Sequence, residues 1–157
     1  KCIKKLEEDK KNAAVIGKLL KYDFDMIDLY SNMYTQSKSM IRFKGYALLN
    51  FEETDKGVGY LKLTDEKLRE LNIDENSASS QVNTLANIEG IKIWAFFVED
   101  KENNDIRVNL RSSGAAVNEV AKKYGGGGHV QAAGARVNSW DMIDQMIQDL
   151  DELAKKH

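Results

Sequence analysis

The residues most able to do chemistry lie in Tyr124-Gly125-Gly126-Gly127-Gly128-His129-Val130-Gln131-Ala132-Ala133-Gly134, where four consecutive glycines run into a histidine. Glycine loses more backbone freedom on folding than any other residue. Four in a row therefore imply close approach of the backbone to something, or left-handed angles. Gly125, after a helix ending at Tyr124, reads as a left-handed C-cap. That accounts for one glycine and leaves Gly126, Gly127 and Gly128 as ligand-facing candidates. Successive N–H groups without side chains can form a concave anion site. If His129 opens a helix over 129–133, the helix N-terminus adds to that site and places an anion nearer His129 than Tyr124. No Gly-x-x-x-x-Gly-Lys-Ser/Thr is present, and Gln131 stands where a dinucleotide fingerprint needs its third glycine.

His129 can donate to a phosphate oxygen, stack on a base or titrate near neutrality, or it can simply cap or pack. Arg111 lies on the polar face of an alternating strand, directly before Ser112-Ser113-Gly114. An arginine fork beside hydroxyls suits phosphate or carboxylate; an exposed sheet arginine is the alternative. Arg107 and Asn109 share its face and are weaker candidates of undetermined role. No metal site is expected: the only other histidine is His157, the one cysteine is Cys2, and no ligand spacing surrounds them. Asp23, Asp25 and Asp28 read as helix-capping residues.

The elements that must position these residues follow from periodicity. Helices are expected over residues 1–21, after Asp25, and from the polar stretch 35–39 onward, the last with the stripe Met40, Phe43, Ala47, Leu48 and Phe51. A strand is expected over 58–63, then a short helix through Leu71 capped by Thr64 or Asp65. The polar loop 72–77 leads to a helix carrying Val82, Leu85 and Ile88 that stops at Gly90. Residues 91–98 are apolar on both faces, as in a central strand. Residues 106–111 alternate, with Ile106, Val108 and Leu110 opposite Arg107, Asn109 and Arg111. A helix through Val117, Val120, Ala121 and Tyr124 precedes the glycines. A strand over 134–138 and a helix opened by Ser139 close the chain. The expected fold is α/β in the wider sense (α+β): a mixed sheet of four to five strands flanked by helices, with an N-terminal helical connector.

Composition narrows the class. The chain has 157 residues, 42% hydrophobic and 31% charged, which is ordinary globular material. A net charge of −2 argues against a bulk nucleic-acid binder. From Lys101 to Arg136, however, six basic residues face three acidic ones. No apolar run reaches the roughly 20 residues of a membrane span, and no signal-peptide pattern opens the chain, so a cytoplasmic setting is expected. The chain begins without methionine inside a helical pattern, as a fragment of something longer would.

Arg111-Ser112-Ser113, Val117-Asn118-Glu119-Val120-Ala121 and the Gly-Gly-Gly-His-x-x-Ala-Ala-Gly run together resemble the C-terminal DHH-associated domain of the DHH phosphoesterase superfamily. Within it, they resemble the bacterial oligoribonucleases that also dephosphorylate 3′-phosphoadenosine 5′-phosphate. The resemblance extends with less force from Phe51 to the end. It implies residues 1–51 as the end of a catalytic domain plus connector, and 52–157 as the substrate-binding domain. It also implies a Mn²⁺-dependent hydrolase of short oligoribonucleotides or 3′-phosphoadenosine 5′-phosphate, with the Mn²⁺ ions held by an N-terminal lobe in cis. Arg111, Ser113, Gly126, Gly127, Gly128 and His129 would grip the nucleotide or short single-stranded RNA or DNA. This sequence has no Asp-His-His motif, so the chain alone is expected to bind without hydrolysing. The competing readings are a nucleic-acid-binding module of a single-strand exonuclease or tRNA-synthetase-related protein, and a structural lobe.

Overall fold

The computed structural model describes residues 2–19, 21–22 and 25–157. Leu20, within the helix expected over 1–21, and Asp23, read as a capping residue, lie outside the described residues. The contacts divide the chain into two compact units, residues 1–36 and 37–157. The first holds α1 (Cys2–Leu19) and α2 (Met26–Tyr34). Asp25 caps α2, its carboxylate accepting from the N–H groups of Ile27 and Asp28, as an N-cap aspartate should.

The second unit opens with α3 (Lys38–Asn50), capped by Ser37, whose hydroxyl accepts from the Met40 N–H. It continues through β1 (Glu52–Glu53), β2 (Val58–Leu63), α4 (Asp65–Glu70), α5 (Glu75–Ser80) and a 3₁₀ turn (Gln81–Leu85). Then come β3 (Ile93–Asp100), β4 (Asp105–Ser112), α6 (Val117–Lys123), β5 (Gly127–His129), β6 (Ala132–Val137) and α7 (Trp140–Ala154). The strands form one sheet in the order β1-β2-β3-β4-β6-β5. Only β2 and β3 run parallel; every other neighbouring pair is antiparallel.

This is the α+β class expected, with six strands rather than four to five. The added strands are the shortest. β1 has two residues, and β5 occupies the glycine run, which has no side-chain alternation to reveal it. Two helix expectations also change. Asp74 accepts from the Ser77 N–H and so starts a helix inside the expected loop, which tightens into the 3₁₀ turn at Val82 and Leu85. Residues 129–133 are not helical. They are the tip of a hairpin, with Val130 and Gln131 as its turn.

The sheet separates two cores. On one face Ile93, Ala95, Phe97, Val108, Leu110, Ala133 and Val137 pack against α6 and α7. On the other, Leu61, Leu63, Trp94, Phe96 and Val98 pack against α3, α4, α5 and the 3₁₀ turn. β3 is buried on both faces for this reason. α3 belongs to the second core: Phe43 and Ala47 are fully buried, and the Phe43 ring meets Phe96 edge-on at 6.1 Å. By contacts, α3 thus groups with the sheet of the second unit. Phe43→Ala should cost about 3–5 kcal/mol in chemical denaturation. A loss below about 1 kcal/mol would show that α3 is not part of this core.

Candidate substrate trench

The helices of the second core lie over β2 and β3 and reach only as far as β4. Beyond them the same sheet face is built from β4, β6 and β5, and strand register fixes what it presents. Arg111 pairs with Ala132, and Ala132 pairs with His129. Directly opposed residues point to the same face. Arg111 and His129 therefore stand on one side of the sheet, two strand spacings or about 10 Å apart. In the next row Asn109 pairs with Gly134, and Gly134 with Gly127. A third row pairs Arg107 with Arg136. The result is a trench whose floor, at Ala132, Gly134 and Gly127, carries almost no side chain. Arg111 and Asn109 stand along its inner side, α5 reaches its Arg107 end, and His129 lies at its outer edge.

Four glycines have three different explanations here. Gly125 has φ +73° and closes α6 as the expected C-cap; its N–H donates to the Lys122 carbonyl. Gly126 lies against β6, where a β-carbon would sit 2.1 Å from the Gly134 carbonyl oxygen and 2.7 Å from Ala135. Gly128 has φ +137°, and its β-carbon would sit 2.6 Å from the Ala132 oxygen. Packing and backbone angle thus account for Gly126 and Gly128. Gly127 has neither constraint, since a β-carbon there meets nothing within 4 Å. The expected helix dipole at His129 is absent, because residues 127–129 are committed to a strand ladder.

The arginines of this face differ in what holds them. Arg107 donates to Glu75 at 3.0 Å and Asn76 at 2.6 Å. Arg136 donates to Asp100 at 2.8 Å and Asp105 at 2.7 Å. Arg111 is half-buried, donates only to its neighbour's carbonyl, Leu110 O, at 2.9 Å, and among the described residues has no carboxylate partner. A guanidinium beside a bare floor, with His129 exposed across it, offers hydrogen-bond donors to an anionic group from two sides. Ser113 stands just past the strand end. It is exposed, and its N–H and hydroxyl both face the Lys92 carbonyl, at 3.0 and 3.3 Å. Among the described residues no three His, Cys, Asp or Glu side chains could hold a metal ion, and no helix is long and apolar enough to cross a membrane.

Sequence reasoning placed Arg111, Arg107 and Asn109 on one face correctly. It missed the contribution of Ala132 and Gly134, whose importance is that they lack bulk. The only available signal was their small size in an alternating strand. It also missed the reach of α5 to the Arg107 end.

The fold is a mixed sheet covered by helices on both faces, and comparison with known proteins gives the family. The DHHA1 domain family matches residues 55–156, and the chain belongs to this DHH-associated domain family of the DHH superfamily. It is 36% identical over 141 residues to the bifunctional oligoribonuclease and PAP phosphatase NrnA of Bacillus subtilis, covering 90% of this chain and 44% of that protein. It is 44% identical over 109 residues to the Mycoplasma pneumoniae protein of the same name, covering 69% of this chain and 33% of that one. Among solved structures, an exopolyphosphatase-related protein from Bacteroides fragilis superposes with a TM-score of 0.77 at 27% identity, covering 92% of this chain and 45% of that one. The chain thus spans less than half the length of the relatives it matches.

Two outcomes test this account of the trench. Gly126→Ala should destabilise by at least about 2 kcal/mol, whereas Gly127→Ala should be neutral or stabilising by up to about 1 kcal/mol; equal effects in urea titrations would contradict it. At the far end, the Arg136 guanidinium and the Asn103 amide hold the Asp100 carboxyl at about 2, below its ordinary 3.8. A folded value below the unfolded one stabilises above about pH 4, and that contribution fades as pH falls towards 2. Compared with the parent chain, Asp100→Asn should therefore lose less stability between pH 4 and pH 2, followed by denaturation midpoint.

Proposed function

We propose that this chain is the substrate-binding part of a phosphoesterase that hydrolyses short oligoribonucleotides or 3′-phosphoadenosine 5′-phosphate in the cytoplasm. Residues 52–157 hold the substrate, and residues 1–51 lead from a catalytic lobe in cis. The observation that carries this reading is Arg111. It is the arginine of the trench without a carboxylate, and it stands in register with His129 over a floor cleared of side chains. Arg111 and His129 grip a phosphate from opposite sides, and Gly127, one row along, leaves the backbone open to the rest of the nucleotide. Gly126 and Gly128 serve by holding β5 where it is, and Ser113 offers its hydroxyl at the rim after a rotamer change. The names of the two relatives, an oligoribonuclease and a PAP phosphatase in each case, support the choice of substrate class.

The residues present do not suit the Mn²⁺ ions of the superfamily, given the absence of a carboxylate and histidine cluster among the described residues. Metal and water activation belong to the lobe in cis. This chain's part is to bind and orient.

Calorimetric titration of 3′-phosphoadenosine 5′-phosphate into the chain tests the proposal. Arg111→Ala should weaken binding about tenfold or more, the scale of a charge-assisted hydrogen bond, and His129→Ala severalfold. No binding, or binding indifferent to both changes, would overturn it. Tighter binding with every added nucleotide beyond a few would favour the single-strand exonuclease type instead.

A further inference from the structure

Between the row of Arg111 and the row of Arg107 lies one level of the trench that ion pairs and packing leave unexplained. There the floor is Gly134 and Gly127, and the side chain beside it is Asn109. Asn109 is half-buried, yet its amide nitrogen is shielded from solvent and has no hydrogen-bond partner among the described residues. The helical layer on the same side repeats the pattern. α5 packs over β3, the strand next to β4, with Glu75 and Asn76 on Arg107, and further along Asn83 accepts from the Trp94 indole at 3.4 Å. Trp94 is the cross-strand neighbour of Arg111. Ser79 follows Glu75 and Asn76 by one helical turn, between these two contacts along the chain. It is 3% exposed, and its hydroxyl also lacks a partner.

Buried polar groups without partners among the described residues are unusual, because each such group costs stability. They fit a site that is completed by a ligand. Asn109 lies two residues along β4 from Arg111, about 7 Å, which is the reach from a nucleotide's phosphate to its base. The two glycines beside it leave a flat peptide surface, wide enough for an aromatic ring to lie on. A carboxamide carries adjacent donor and acceptor groups, the pattern that matches a base edge.

We infer that Asn109 is a specificity-determining residue. It hydrogen-bonds the edge of a nucleobase lying on Gly134 and Gly127, while Arg111 and His129 hold that nucleotide's phosphate. This rests on the phosphate-binding role proposed above. A turn about the terminal torsion of Asn109 exchanges its amide ends, so either end of the carboxamide can be presented to the base. Arg107, tied to Glu75 and Asn76, closes the level on its far side.

The test compares two probes, 5′-AMP and ribose 5-phosphate, titrated into the parent chain and into Asn109→Ala and Arg111→Ala, with Tm recorded for each. The expected result is that Asn109→Ala weakens AMP about tenfold, leaves ribose 5-phosphate unchanged, and keeps or raises Tm. Arg111→Ala should weaken both probes. Asn109→Ser should show the same split, and it stands in should the alanine chain fold poorly. Equal loss of both probes, no loss of AMP, or a lowered Tm with unchanged AMP binding would overturn the inference. A parent chain that binds both probes equally would overturn the base contact and leave the phosphate site standing. A parent chain that binds neither would overturn both.

Discussion

The approach of β5 to β6 is the constraint on which the rest of the site depends. Gly126 fits against the Gly134 carbonyl only because it has no β-carbon, and Gly128 takes an angle that side chains rarely allow. These two positions let a three-residue strand join the sheet edge. They also set its register, and a one-residue slip would turn His129 to the opposite face. The costly glycines are thus used to place a histidine, and the run is a structural device with one opening in it, at Gly127.

Charge pairing on the same face complements that geometry. Arg107 is tied to α5, and Arg136 is tied to the β3–β4 turn through Asp100 and Asp105. These pairs hold that end of the trench in place. Among the described residues Arg111 has no such tie, so it can meet an anion without first breaking an ion pair. An arginine already held by carboxylates would have to exchange one partner for another.

The two cores explain why the trench lies where it does. α3, α4, α5 and the 3₁₀ turn cover only part of one sheet face, because that layer ends over β3 and β4. α6 and α7 cover the other face across its width. The uncovered part is lined by small residues, and its chemistry comes from a few side chains on β4 and β5.

Much of this was legible beforehand. Local chain chemistry determined the helices capped by Asp25, Ser37, Thr64 and Ser139, the doubly buried β3, and the alternation that puts Arg107, Asn109 and Arg111 on one face, since caps and periods are written in neighbouring residues. The glycine run misled because residues without side chains have no period; β5 was invisible, and 129–133 was read as a helix. Which glycines are structural, which arginine lacks a carboxylate, and that Arg111 shares a row with His129 were decided only by the tertiary structure. Each depends on residues far apart in the chain, brought together by strand register and by the position of α5.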